Sequence, residues 1–98
     1  RPHPTAVVTS VSYSYLPGDA RAAFVDALEA AGRRTPVAWV GLDLAGTVPM
    51  FEPATPPPPT SGSPCVLGLA VFDGGGRRAT PLAFVHPHGA WIEWLAGR

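Results

Sequence analysis

Three serines fall at every second position in TSVSYSY, Thr9 to Tyr15, with tyrosines at 13 and 15. While a strand lasts, alternation points Ser10, Ser12 and Ser14 the same way. Small hydroxyls at a strand end let a ligand approach and hydrogen-bond it. The plainer alternative is that they end the strand and satisfy the backbone of the loop that follows. A serine nucleophile working with a histidine is the sharper chemistry such a cluster invites. No G-x-S-x-G elbow surrounds any of the three, so that reading needs a geometry that spacing does not supply.

His86 and His88 straddle Pro87 ahead of Gly89. Two imidazoles two residues apart share a face in an extended segment, but a zinc site wants three or four ligands, and only Cys65 or Asp73 could join them. The expectation is therefore no metal, with the histidines stabilising a turn or touching a substrate. Asp43 and Glu52 are the carboxylates near the end of a second apolar run, where a partly buried acid can act as a general base or simply anchor a loop. Asp43, His86 and His88 are thus the candidate catalytic groups. Gly74, Gly75 and Gly76 lie between two strand-like runs rather than between a strand and a helix, so a hairpin tip is expected instead of a phosphate loop, with Arg77 and Arg78 as solvated charges beside it. Trp39, Trp91 and Trp94 are assigned to packing.

These groups need elements to hold them. Thr5 to Val11 is rich in Val, Thr and Ala, as expected of a strand covered on both faces in a parallel sheet. Pro17, Gly18 and Asp19 then punctuate, and DARAAFVDALEAAGRR predicts a helix with Asp19 as its cap and Gly32 as a left-handed stop. TPVAWVGLDL follows closely, and strand, helix, strand in tight succession favours a parallel βαβ unit over residues 1–44. Residues 45–64, AGTVPMFEPATPPPPTSGSP, are too rich in proline for a helix or a central strand and predict a long surface connection, stiff at Pro56–Pro59. Over residues 65–98 the apolar runs Cys65–Phe72 and Ala79–Val85 flank a turn cluster, which is a hairpin signal, and Ala90–Leu95 predicts a further short strand, with a terminal helical turn as the alternative.

Composition excludes several function classes. Ninety-eight residues make at most one domain, and a chain of this size buries only roughly 60–65% of its unfolded surface. Thirteen prolines and eleven glycines imply much loop. Seven arginines balance seven acids, leaving no basic stripe for nucleic acid. One cysteine excludes an internal disulfide and fits a reducing compartment, so the cytoplasm is expected. No apolar run approaches the ~20 residues of a membrane span. The start RPHPT has neither an initiator Met nor a signal peptide's apolar segment, so the chain is expected to be a piece of a longer one.

VVTSVSYSYLPGDARAAF, the Trp-containing strand VAWVGLD and the closing HPHGAWIEWL resemble the C-terminal part of the bacterial family catalogued as domain of unknown function 2332. The resemblance covers nearly the whole chain. It implies an α/β fold, the C-terminal half of a Rossmann-like sheet similar to class I S-adenosylmethionine-dependent methyltransferases, with one parallel βαβ unit followed by an antiparallel hairpin or three-strand meander. Such methyltransferases insert their last strand antiparallel beside the fifth. The resemblance places Thr9, Ser10, Ser12 and Tyr15 along the crevice where S-adenosylmethionine would sit, with Asp43 across from them. The glycine-rich turn and acidic strand end that hold the cofactor would lie upstream of Arg1, and the stretch after Asp43 departs from the helix expected there. The partners implied are the upstream half of the same polypeptide and a small-molecule substrate. An exposed sheet edge would make the isolated piece associate. The rival is a non-catalytic binding or scaffold domain on the same sheet.

Overall fold

The computed structural model of the chain describes residues 5–54, 57 and 63–95. Strand β1 (Thr5–Ser10) leads through one turn of 3₁₀ helix, Tyr13–Tyr15, into helix α1 (Gly18–Gly32) and strand β2 (Val37–Leu44). A second 3₁₀ turn, Pro49–Phe51, precedes strands β3 (Cys65–Asp73), β4 (Gly76–Val85) and β5 (Ile92–Trp94). The sheet order is β1-β2-β3-β4-β5. β1 and β2 run parallel, and every later pair is antiparallel. The expected α/β class therefore holds: a parallel βαβ unit followed by an antiparallel meander.

One face of the sheet carries the core. Val37, Trp39, Gly41 and Asp43 of β2 alternate inward, in register with Phe72, Ala70, Gly68 and Val66 of β3. α1 lies over them, since Phe24, Leu28, Ala31 and Gly32 recur at helical spacing on one side of it. Phe24 meets the Trp39 ring edge-on at 5.1 Å. Gly32 is not the left-handed stop that was expected. It is the last helical residue, and its missing side chain lets the helix end press on Phe72, where a Cβ would stand 2.7 Å from the Phe72 Cβ. Nor does Asp19 cap the helix; Pro17 holds that position without a side-chain bond, and Asp19 instead accepts from the Ala20 amide.

The connection after β2 is also less superficial than its prolines suggest. Val48 and Phe51 are buried, and the Phe51 ring lies in a dent made by Gly41 and Gly68, which face each other across β2 and β3. Pro56, Pro58 and Pro59 fall outside the described residues. The hairpin tip forms as expected: Gly74 and Gly75 both have positive φ, as a tight two-residue turn between β3 and β4 requires. The tip is tied to α1 by a hydrogen bond from the Gly74 amide to the Gly32 carbonyl. Arg77 and Arg78 are exposed beside the tip as expected, and the Arg77 guanidinium makes a surface ion pair at 3.6 Å with Glu29 of α1.

Among the described residues no helix lies over the other face. Ala38, Val40 and Leu42 of β2 and Leu67, Leu69 and Val71 of β3 point to it half-buried, and Val8 of β1 is 73% exposed there. Among the described residues β1 is covered on one face only. It forms the edge of the sheet, paired on one side only among the described residues. No helix among the described residues is long and apolar enough to cross a membrane.

Candidate functional site

β1, β2 and β4 all end at the same side of the sheet, because Ser10 pairs with Leu42, Leu44 with Cys65, and Cys65 with Val85. Polar loops gather there. The first follows β1 and begins with a backbone outlier: Val11 has φ 60°. A β-branched residue in the left-handed region is rare, because its Cβ crowds the backbone. Two bonds hold it. The Val11 amide donates to the Leu42 carbonyl at 2.6 Å, and the Ser14 hydroxyl donates to the Val11 carbonyl at 2.8 Å.

Past Val11 the chain enters the 3₁₀ turn, so Ser10, Ser12 and Ser14 do not share one face as the alternation suggested. Ser10 and Ser12 are exposed, whereas Ser14 is part-buried and spent on the backbone. Thr9 points to the core side, where its Oγ1 accepts from the Trp39 indole N–H at 3.0 Å. Tyr15 is 83% exposed.

Asp43 is the buried polar residue of the core, 3% exposed. Its Oδ2 accepts from the Ser14 amide at 3.1 Å and its Oδ1 from the Leu44 amide at 2.9 Å. One carboxylate thereby ties the loop after β1 to the end of β2, although 29 residues separate it from Ser14. Arg21 braces the same loop from α1: its side chain donates to the carbonyls of Ser14 and Leu16 and stands 5.4 Å from the Tyr13 ring centre. Nothing in the local sequence around Arg21 marks it for this, since an arginine in the first turn of a helix usually faces solvent.

Asp43 also borders a small depression with accessible room for only about one water molecule (about 10 Å³), together with Leu44, Gly46, Val48, Phe51, Glu52 and Val66. Two carboxylates, Asp43 and Glu52, therefore line one hollow at the end of β2. Beside it, burial pushes the Cys65 thiol up from its ordinary pKa, and the Asp43 charge pushes it the same way. A thiol so placed is neutral and a poor nucleophile.

The histidines lie at the same end of the sheet, two strand spacings or about 10 Å from β2. His86 Nδ1 accepts from the amides of His88 and Ala90, at 3.1 and 3.4 Å, so this ring closes the turn leading into β5. Its proton therefore belongs on Nε2. His88 is exposed, and the two rings are 5.8 Å apart. No group of three or more potential metal ligands forms among the described residues. The structure thus joins Asp43 to the loop that carries Ser12 and Tyr15, and leaves His86 and His88 at a separate turn.

A parallel strand pair joined by a helix and continued by an antiparallel meander, with a buried carboxylate tying the loops at its end, makes this an α/β domain. The family model described as "Uncharacterized protein conserved in bacteria (DUF2332)" matches residues 1–94, and the chain belongs to that family. No curated protein and no solved structure matches the chain.

Proposed function

We propose that this chain forms one wall of a small-molecule crevice in an S-adenosylmethionine-dependent, methyltransferase-like α/β domain, with the other wall supplied by an upstream half of the same polypeptide. The observation that carries the reading is Val11 at φ 60°, held at the carboxyl end of β1 beside a buried carboxylate. Backbone strain of this kind gathers at ligand sites, and open α/β sheets bind ligands beyond the carboxyl ends of their parallel strands.

The donor set fits a wall and not a whole site. The exposed hydroxyls of Ser10, Ser12 and Tyr15 are free to meet a polar ligand edge, while Thr9 and both oxygens of Asp43 already have internal partners. Asp43 acts as a positioning residue, fixing the loop that presents those hydroxyls. When bound, the cofactor would supply the electrophilic methyl group. The contribution of these residues is orientation, which is a large part of what such a transfer needs. One feature departs from the methyltransferase pattern: the antiparallel strand beside β2 is β3, the first of the meander, rather than the last strand of the chain.

The test is calorimetric titration of S-adenosylhomocysteine into the full polypeptide in which these residues occur, with the 98-residue chain as control. Saturable binding to the longer polypeptide and none to the control is expected. A folded longer polypeptide that takes up no heat would sink the reading. It would favour a non-catalytic binding domain, a role for which the bare apolar face of the sheet is suited.

A further inference from the structure

The turn that leads from β4 into β5 closes around one titratable ring. β5 pairs with β4 through three residues, Ile92 with Val85, Glu93 with Phe84 and Trp94 with Ala83. So short a strand at a sheet edge is weakly held by its own ladder. Its further ties are a bond from the Leu95 amide to the Leu82 carbonyl and the turn itself, where the His86 amide donates to the Trp91 carbonyl at 3.0 Å and the Gly89 amide to the His86 carbonyl at 2.9 Å.

Inside this turn the amides of His88 and Ala90 both point at Nδ1 of His86, 3.1 and 3.4 Å away. Both bonds need a lone pair on Nδ1, which a neutral imidazole protonated at Nε2 supplies and an imidazolium does not. Once Nδ1 carries a hydrogen, three N–H groups meet at one point with no acceptor among them. The ring must then swing out or the turn must open. A ring that swings out also leaves the Trp91 ring, which it now meets edge-on with 6.0 Å between centres.

The neighbouring charges come from three elements. His88, within the turn, has its ring centre 5.8 Å from that of His86; it takes up a proton in the same pH range and repels a protonated His86, which adds to the opening. From β5, Glu93 stands opposite Phe84 and so on the His86 side of the hairpin, but no ion pair joins it to His86 among the described residues. From β3, Cys65 lies opposite Val85 and is a neutral thiol.

We infer that His86 is a pH-sensitive clasp: neutral, its ring closes the turn and seats β5; protonated, it opens the turn and frees β5 from β4. The clasp holds above the range around pH ~6.5 in which imidazoles take up a proton and lets go as the pH falls through it. Release uncovers the edge of β4 from Leu82 to Val85 and sets free the apolar side chains of Ile92 and Trp94, both already half-exposed. An open edge of this kind is a surface for pairing with another strand. None of this draws on the methyltransferase reading.

The experiment is hydrogen exchange read by NMR at single amides of the full polypeptide in which these residues occur, at pH 8 and pH 5, each rate divided by the intrinsic rate of that amide at that pH. Protection at the His88, Ala90 and Leu95 amides is expected to fall at least about tenfold at pH 5, because two ordinary hydrogen bonds are lost, while Trp39 of β2 and Ala70 of β3 keep theirs. Two variants assign the effect. His86→Asn offers a carbonyl oxygen near the place of Nδ1 and does not titrate, so the difference between the two pH values should vanish whatever the level of protection. In His88→Ala the difference should persist. Equal protection at both pH values in the unaltered protein overturns the inference, as does a difference that survives His86→Asn or disappears in His88→Ala. A loss that extends to Trp39 and Ala70 also overturns it, being acid unfolding of the whole sheet, and protection retained at Leu95 while the turn amides lose theirs would overturn the release of β5.

Discussion

Phe51 reaches the core only because Gly41 and Gly68 leave it a dent, and a double-mutant cycle measures that dependence. A Cβ on Gly68 would stand 2.2 Å from Cγ of Phe51 and 2.4 and 2.5 Å from its two Cδ atoms. No such contact is tolerated, so in Gly68→Ala the ring must leave. Phe51 is 2% exposed, and removing a buried phenylalanine costs about 3–5 kcal/mol. Replacing glycine in a strand returns about 0.5–1 kcal/mol. Gly68→Ala should therefore destabilise the chain by about 2–4 kcal/mol. In a Phe51→Ala background the clash is gone, and Gly68→Ala should be neutral or stabilising. The coupling energy is then about 3 kcal/mol, at the upper end for a contacting pair. Urea unfolding followed by tryptophan fluorescence is the assay, since the Trp39 ring centre lies 4.9 Å from that of Phe51. Additive effects within about 0.5 kcal/mol would refute the dent as the reason Phe51 is buried.

Other expectations concern the strand-end loops. Asp43→Ala strips a buried acceptor from the Ser14 amide, so it should lower stability by about 2–3 kcal/mol and speed hydrogen exchange at Ser14; unchanged exchange there would remove Asp43 as the tie between the loops. Because the folded-state pKa of Cys65 is raised, the unfolded chain loses that proton first as pH climbs. The stability contribution is present below the ordinary value of 9.0 and is lost as pH rises through the higher folded value. Urea midpoints at pH 8 and pH 10 should show a decline that Cys65→Ala reduces; an equal decline in both proteins would contradict it. His86→Ala should accelerate exchange at the His88 and Ala90 amides while leaving the rest of the sheet protected, and an effect spread across β2 and β3 would mean that the turn does more than close on itself.

The elements that announce themselves locally were legible. Apolar runs bounded by Pro, Gly and Asp mark β1, β2, β3 and β4 to within a few residues, and the glycines after Asp73 mark the hairpin tip, because each signal rests on neighbours in the chain. What was not legible depends on residues far apart. Phe51 sits in a proline-rich stretch that reads as surface, and only the pairing of Gly41 with Gly68 makes room for it. Gly32 carries a glycine's usual stop signal, yet its role is set by Phe72, 40 positions later. The serine alternation failed at Val11, since a pattern of period two is valid only while the strand continues. Likewise, the apolar content of β1 promised cover on both sides, but composition records what a strand can bury and not which layer arrives to bury it.

Val11 is the position where local preference and observed geometry disagree most sharply. A valine belongs in an extended backbone, and holding one in the left-handed region costs about 1–3 kcal/mol. Asparagine or glycine would take that conformation more cheaply. The conflict is sustained by Leu42 and Asp43 of β2, Arg21 of α1 and the loop's own Ser14. Three residues from other parts of the chain thus converge on a turn that contributes Tyr13 to the hydrophobic core. Stability alone gives no reason for that convergence, since a plain glycine turn would join β1 to α1 without it. What the arrangement does achieve is a fixed course for the backbone from Ser10 to Tyr15, with the hydroxyls of Ser10, Ser12 and Tyr15 left exposed at the end of a parallel strand. A loop tied from within and polar on its outer side suits the role proposed above, one wall of a ligand crevice at the end of a parallel strand.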